Sequence, residues 1–177
     1  MSHYCVSIDL TGRKCVVVGG GTVAERKVET LLDFGAAVVV VAPDLSAGLR
    51  EMAELGSVRH VEGVYEPDNL DDAFLVIAAT DQREVNEAVS AEARRRGILV
   101  NVVDDPDLCT FFVPAMVRRG DLVIGISTSG ASPALARRIR EDLESRFGPE
   151  YGELAELMGV LRDEVKAAYP DQRDRHR

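Results

Sequence analysis

The chain has 177 residues, 46% hydrophobic and 29% charged, and a net charge of −9. It is long enough for one domain with a small appendage and apolar enough to fill a core, while its acidic balance argues against general nucleic-acid binding, which depends on neutralising phosphates. No apolar run reaches the roughly 20 residues that span a bilayer, and residues 1–10 lack a basic segment followed by an apolar one, so neither a membrane span nor a secretory leader is expected.

The first element is a β-branched run that ends at Val18 in three glycines, with a helical pattern starting at once. Gly19-x-Gly21-x-x-Ala24 fits the dinucleotide fingerprint. Gly19 suits the tight turn, Gly21 has no Cβ to hold off a pyrophosphate, and Ala24 lets the helix sit close to the strand. The N–H groups of Thr22 and Val23 at the helix start form a natural phosphate seat. The bland alternative is a tight βα turn in some other doubly wound domain. The helix spans about 23–34, with Val23, Val28, Leu31 and Leu32 as its apolar positions, and Gly35 closes it.

A Val-Val-Val-Val-Ala strand follows at 38–42, then a turn at 43–46 into a helix over about 47–55. Strands are expected at 58–61 and 74–79. A long helix covers 81–96, with Val85, Ala88, Val89 and Ala93 inward and Gly97 closing it, and another strand covers 98–102. Continuous apolar strands joined by helices predict a parallel sheet covered on both faces. After the Asp105-Pro106-Asp107 turn the pattern changes. Strands at about 112–118 and 122–127 flank Arg119-Gly120-Asp121 and read as a hairpin. Ser132 is the expected N-cap and Pro133 the first residue of a helix running to about 146. A last helix, about 151–169, aligns Leu154, Leu157, Met158, Leu161 and Val165, and the polar tail 171–177 is expected to fray. The predicted class is α/β: a Rossmann-type doubly wound parallel sheet (1–111), a hairpin-plus-helix dimerisation segment (112–147) and a C-terminal helical segment (148–177). The hairpin is too small to hold a core alone, which suggests packing against a second copy.

Three places carry chemistry-bearing residues. Pro43-Asp44 follows the second strand, near where an acidic residue holds the adenine ribose of NAD; Asp44 reads equally as a turn former or helix cap. No basic residue stands at 42–46 to hold a 2′-phosphate, so NAD is expected over NADP. Thr80 ends the 74–79 strand on the ligand side beside small residues that leave room for a cofactor, and Asp81 is read foremost as the cap of the next helix. The second place is Asn101 to Pro106, at the carboxyl end of the last parallel strand, where Asp104 could act as general base while hydride leaves for NAD; Asp104 and Asp105 equally fit a solvated turn. The third is Ser127-Thr128-Ser129-Gly130-Ala131-Ser132-Pro133, followed by Arg137, Arg138 and Arg140. Its hydroxyls, N–H groups and guanidiniums suit carboxylates, against a plain helix cap with arginines paired to Glu141 and Glu144. Cys5, Cys15 and Cys109 are odd in number and lack metal spacing, so they read as reduced thiols of a cytoplasmic protein, Cys15 being strand packing. His3, His60 and His176 are scattered, and no metal-ligand set or Ser/His or Cys/His nucleophile pair is expected.

The ordered set Gly-Gly-Gly-Thr-Val-Ala-Glu-Arg-Lys (19–27), Val-Val-Ala-Pro (40–43), Ala-Ala-Thr-Asp (78–81), Asn-Val-Val-Asp (101–104), Phe-x-x-Pro-Ala (111–115) and Ser-x-Ser-Gly-x-Ser-Pro-x-Leu-Ala-Arg (127–137) resembles the precorrin-2 dehydrogenase family of sirohaem synthesis, which includes the N-terminal part of multifunctional sirohaem synthase. The resemblance covers residues 5–147. It implies NAD-dependent oxidation of precorrin-2 to sirohydrochlorin, for sirohaem or cobalamin, with ferrous iron inserted by some members, and a homodimer formed through the middle segment. By the same resemblance Asp104 is the catalytic residue, and Thr22, Val23, Pro43 and Asp44 match the nucleotide contacts; with Gly19 and Gly21 of the fingerprint and Thr80 at the strand end they make the expected cofactor-binding set. Ser129 falls in the serine-glycine motif that the resemblance places near the tetrapyrrole pocket, and Asn101, Ser127, Ser132 and Arg137 join it as the expected substrate-binding residues. Thr128 stands where some members carry a serine that is phosphorylated, which puts that regulation in doubt here. The substrate is rich in carboxylates, so the net charge gives no steering; Arg118, Arg119, Arg137 and Arg138 are the local cations expected to attract it. The chain ends at Arg177 with no methyltransferase domain, the expectation for a stand-alone form. Two other readings stay open: an NAD-sensing module without catalysis, and a chelatase without useful dehydrogenase activity.

Overall fold

In the computed structural model, which describes residues 3–169, five strands form one parallel sheet: β1 (Lys14–Val18), β2 (Ala37–Ala42), β3 (Arg59–Glu62), β4 (Leu75–Ala78) and β5 (Leu99–Val102), in the order β3-β2-β1-β4-β5. Strand residues alternate between two cores because a strand's side chains alternate in direction. Cys15, Val17, Val38, Val40, Leu75 and Ile77 meet helices α1 (Thr22–Asp33) and α2 (Ala47–Glu54) through Ala24, Val28, Leu31 and Leu49. Val16, Val18, Val39, Val41, Val76, Val100 and Val102 meet α3 (Arg83–Arg96) through Val89 and Ala93. The sheet is thus covered on both faces, and its strands read as unbroken apolar runs for that reason. Burial pushes the Cys15 thiol up to about 11, which fits a packing role.

The chain leaves β1 toward β2 and β3, then crosses back to β4 and β5, so the order reverses between β1 and β4. Ligands of open α/β sheets bind beyond the carboxyl ends of the strands at such a switch point.

This sheet and its helices, residues 7–112, form one compact unit; residues 3–6 with 113–169 form a second. In the second unit β6 (Ala115–Arg119) and β7 (Leu122–Ile126) make an antiparallel hairpin, followed by α4 (Pro133–Arg146) and α5 (Glu150–Ala168). Ser132 caps α4 by accepting from the Leu135 N–H at 3.2 Å, as expected.

Several expectations are corrected. The first hairpin strand begins at Ala115 rather than 112, since Pro114 has no N–H to donate and the Phe111 N–H is held at 3.3 Å by the Val100 carbonyl. Helix α3 begins at Arg83, and the side chain that organises its start is Thr80, not Asp81: the Thr80 hydroxyl accepts from the Gln82 N–H at 3.2 Å and donates to Asn86 Oδ1 at 2.9 Å. Ala88 is exposed, and Asn86 and Ser90 take the inward places, each with hydrogen-bond partners. The hairpin is not bare within its own chain. Arg119 donates from Nε to the Phe147 carbonyl at 2.8 Å and from Nη2 to the Glu144 carbonyl at 3.2 Å, and Gly152 of α5 abuts the Arg119–Gly120 turn so closely that a Cβ there would lie 3.0 Å from the Arg119 carbonyl. Leu154, Leu157, Met158, Leu161 and Val165 of α5 are exposed. His176 and the polar tail lie outside the described residues.

Candidate functional site

The glycine loop is built by three different constraints. Gly19 has φ +123, and a Cβ there would strike the Ala79 carbonyl, with the Ala79 carbon at 2.8 Å. The ends of β1 and β4 therefore touch through backbone at the switch point. Gly20 packs against the opposite neighbour: a Cβ would overlap the Asp44 carbonyl and lie 2.9 Å from the Ala42 methyl. Gly21 differs from both. Its φ is −84, and a Cβ there would meet nothing within 4 Å. It is the N-cap of α1 with no side-chain cap, so the first-turn N–H groups, those of Thr22 and Val23 included, open onto the space over Gly21. An uncapped helix N-terminus beside a Cβ-free surface is the arrangement that seats a phosphate or pyrophosphate. These residues fit a dinucleotide.

Around this loop stand the other expected cofactor residues. Pro43 and Asp44 are exposed and line a cleft of about 450 Å³ at the carboxyl ends of β2 and β3, together with Leu45, Arg50, His60 and Glu62. The Asp44 carboxylate makes no hydrogen bond or ion pair with the described residues. It does not cap α2; Ser46 does, accepting from the Leu49 N–H at 3.3 Å. Thr80 lies at the switch point, but its hydroxyl is committed to the start of α3, which leaves it a local organiser there.

At the end of β5 the chain turns back along the sheet's edge. The Val103 N–H donates to the Ala78 carbonyl at 2.9 Å, and the Thr110 N–H returns to the Val100 carbonyl at 2.8 Å. Asp104 lies in that reversal with φ +60, a left-handed conformation that Asp tolerates better than most residues. Its carboxylate is exposed and makes no hydrogen bond or ion pair with the described residues. Asp105, one residue on, is partly buried, and Arg83 Nη2 is 4.0 Å from its Oδ2. The two adjacent carboxylates therefore have different surroundings: one faces solvent at the ligand end of the sheet, and the other belongs to the turn.

Arg94 and Ser90, which sequence reasoning passed over, hold the reversal together with Cys109 and Asn101. Arg94 Nη2 donates to the carbonyls of Asp107 at 3.0 Å and Cys109 at 3.1 Å, and the Ser90 hydroxyl donates to the Leu108 carbonyl at 2.7 Å. Cys109 Sγ accepts from the Val102 N–H at 3.1 Å, and burial pushes its thiol up. Asn101 spends its amide Nδ2 on the Phe111 carbonyl at 3.1 Å, so this group stitches the edge rather than facing outward. Arg94 and Ser90 belong to no motif, and only the folded edge of β5 brings them to Asn101 and Cys109.

The serine motif lies in the second unit. Its hydroxyls are largely used within the loop: Ser127 Oγ accepts from the Ser129 N–H at 3.1 Å, Thr128 Oγ1 from the Ser132 N–H at 3.1 Å, and Ser129 Oγ from the His3 N–H at 3.1 Å. Ser129 itself has φ +51. Of the expected substrate arginines, Arg119 is committed to the end of α4. Arg137 and Arg138 are exposed and only loosely paired with Glu141, at 3.6 and 3.9 Å.

Comparison with known proteins agrees with this fold. A family model described as NAD(P)-binding matches residues 6–115, one described as the central part of sirohaem biosynthesis proteins matches 119–146, and one described as the sirohaem synthase dimerisation region matches 150–177. The siroheme synthase of Methylobacillus flagellatus is 46% identical over 169 residues, covering 96% of this chain and 36% of that protein. That of Chromobacterium violaceum is 45% identical over 177 residues, 100% of this chain and 38% of that protein. The chain thus spans little more than a third of the length of these relatives. A solved structure, SirC, precorrin-2 dehydrogenase, superposes with a TM-score of 0.82 at 33% identity, covering 98% of this chain and 86% of that one. No described helix is long and apolar enough to cross a membrane.

Proposed function

Because this chain belongs to the precorrin-2 dehydrogenase family, which sirohaem synthases share, we propose that it oxidises precorrin-2 to sirohydrochlorin with NAD, as a cytoplasmic homodimer. The observation that carries the reading is the pairing, within one sheet, of an open phosphate seat at Gly21 with an unpaired carboxylate at Asp104. NAD supplies the hydride acceptor. Oxidation removes one hydride and one proton from the tetrapyrrole.

The chain's own residues do the rest. The N–H groups of Thr22 and Val23 hold the pyrophosphate, and Asp44 accepts from the adenine ribose hydroxyls. Asp104 takes the proton that leaves as the hydride departs. An exposed carboxylate suits this role because the base must meet a large, polyanionic substrate at the surface. Ser127, Ser129, Ser132 and Arg137 are assigned to the substrate side, with the exposed guanidiniums of Arg137 and Arg138 as the local attraction for its carboxylates. Asn101 acts behind Asp104 by fixing the returning edge.

The separate organisation we assign is residues 1–111 for NAD, 112–147 as a dimerisation segment and 148–177 as the C-terminal helical segment. The apolar face of α5 extends that contact to the second copy, in keeping with the dimerisation-region match.

Anaerobic incubation with precorrin-2 and NAD tests the reading. Stoichiometric NADH and the sirohydrochlorin spectrum are the expected products. Binding of NAD without oxidation would leave a sensor. Ferrous ion, added afterwards as a substrate, tests insertion; metal insertion with no NADH formed would leave a chelatase.

A further inference from the structure

Asp104, at φ +60, is a non-glycine residue in the left-handed region, and such a conformation persists only where its surroundings over-determine it. Those surroundings begin on α3. Three consecutive carbonyls at the end of the 3₁₀ turn Pro106–Leu108 accept from two side chains one helical turn apart. The Ser90 hydroxyl takes the middle one, Leu108, at 2.7 Å, and Arg94 Nη2 takes Asp107 and Cys109 at 3.0 and 3.1 Å. Arg94 Nε also donates to Ser90 Oγ at 3.3 Å, so the two act as one clamp. Ser90 is buried. The neighbouring Arg95 and Arg96 pair with Glu92, whereas Arg94 spends its donors on neutral backbone and its own serine. The clamp reaches Asp104 through one atom. Cys109 Sγ accepts from the Val102 N–H at 3.1 Å and lies 3.3 Å from the Asp105 carbonyl, an acceptor for its S–H. Val102 and Asp105 flank Val103 and Asp104, so the sulfur closes a small ring around the reversal.

From this we infer that Ser90 and Arg94 are positioning residues for proton removal: they set the rate through the placement of Asp104, by way of the Cys109 carbonyl and sulfur. The inference rests on the reading of Asp104 as the proton acceptor. A general base works only within hydrogen-bond reach of the proton it takes, and a misplacement of about 1 Å can cost about 10²-fold in rate. The Asp104 carboxylate has no hydrogen bond or ion pair of its own among the described residues, so the backbone beneath it is what fixes its place. A turn released from α3 keeps its carboxylate and loses its register to the substrate.

Arg94→Ala is the direct test, since Arg94 is exposed and the variant should fold. Anaerobic oxidation of precorrin-2 at saturating NAD should slow by about tenfold to a hundredfold, while calorimetry gives an unchanged affinity for NAD. Ser90→Ala should show the same pattern. Hydrogen exchange in Arg94→Ala should quicken at the Asp105, Leu108 and Cys109 amides, which bond within the reversal, and stay slow in β5. Arg94→Lys, whose ammonium can still serve both carbonyls, should recover most of the rate. In an Asp104→Asn background, adding Arg94→Ala should cost nothing more, because both changes remove the same function. Losses that multiply, or a matching loss of NAD affinity, would make Arg94 a support of the fold at large and overturn the inference. An Arg94→Ala enzyme as fast as the wild type, beside a slow Asp104→Asn, would overturn it alone. Asp104→Asn as fast as the wild type would overturn the proton-acceptor reading and the inference with it.

Discussion

The Ser46 hydroxyl donates to the Glu25 carboxylate, tying the first turn of α1 to the start of α2. The same serine donates its N–H to the Gly20 carbonyl at 2.7 Å and caps α2 with its hydroxyl. Gly48 completes the joint, since a Cβ there would collide with the Glu25 carboxylate. Thus one residue, Ser46, fixes both the glycine loop and the turn that presents Asp44.

The glycines of the loop should separate by experiment. Gly20→Ala drives a methyl into the Asp44 carbonyl, so backbone must move. Overpacking of this kind costs about 1–3 kcal/mol, and a lowered Tm is expected. Gly21→Asp adds its side chain to open space and should melt like the wild type, yet NAD binding should be lost because a carboxylate then occupies the pyrophosphate seat. Melting curves and calorimetry on both variants check this. Unchanged NAD affinity in Gly21→Asp would remove the loop from the site.

Glu92 gives the fold a pH dependence. Hydrogen bonds from Arg95 and Arg96 hold its carboxyl down at about 2, against an ordinary value of 4.5. A carboxylate with a depressed folded pKa stabilises above its unfolded pKa and loses that contribution as pH falls through the folded one. The window is therefore 4.5 down to about 2. Glu92→Gln should flatten the stability profile in that window and leave its shape unchanged near neutrality. Urea melts across the acid range measure this; parallel profiles would show that the ion pairs are screened away.

The parallel sheet was legible in the sequence because its strands are buried on both faces and so read as continuous apolar runs. The loop was legible at Gly19 and Gly21, whose spacing is a motif. Gly20 was not, since its need for a missing Cβ comes from Asp44, a residue beyond the next strand. Arg50 and His60 were missed for the same reason: they reach the Asp44 cleft only once α2 and β3 have packed. The β-hairpin was readable from its turn, but its cover was not, because Arg119 binds carbonyls at the far end of α4. Thr80 and Asn101 were picked for their place at strand ends, and the structure shows that their hydrogen bonds also serve the local backbone.

Assembly should depend on α5. Leu157 and Met158 are 55% and 58% exposed, and they share a face with Leu154, Leu161 and Val165. Burying a leucine side chain stabilises by about 1.5–3 kcal/mol, and an isologous contact would count each residue twice. Leu157→Asp/Met158→Asp should therefore give a monomer in light scattering at concentrations where the wild type is a dimer. Because both side chains are exposed in the single chain, the melting of each variant subunit should stay cooperative. A variant that remains dimeric would move the interface to the hairpin and α4.

The sharpest contrast lies between neighbouring carboxylates. Asp104 is exposed, unpaired and held at φ +60 between two anchors, the Val103 N–H on the Ala78 carbonyl and the Cys109 sulfur on the Val102 N–H. Asp105 is partly buried near Arg83 and uses its carbonyl to accept from Leu108 at 3.3 Å. Asp104→Ala should leave NAD affinity nearly intact and slow precorrin-2 oxidation by roughly 10²–10⁴-fold, the usual cost of losing a general base. Asp105→Ala should change the rate much less, since the backbone bonds that shape the turn survive it. Asp104→Asn keeps the size and left-handed tolerance of the side chain but cannot take a proton, so it should be as slow as the alanine variant. Rescue by asparagine would mean that Asp104 serves only to shape the turn, leaving the hydride step to positioning alone. Equal and small effects at 104 and 105 would remove the catalytic assignment from this reversal altogether.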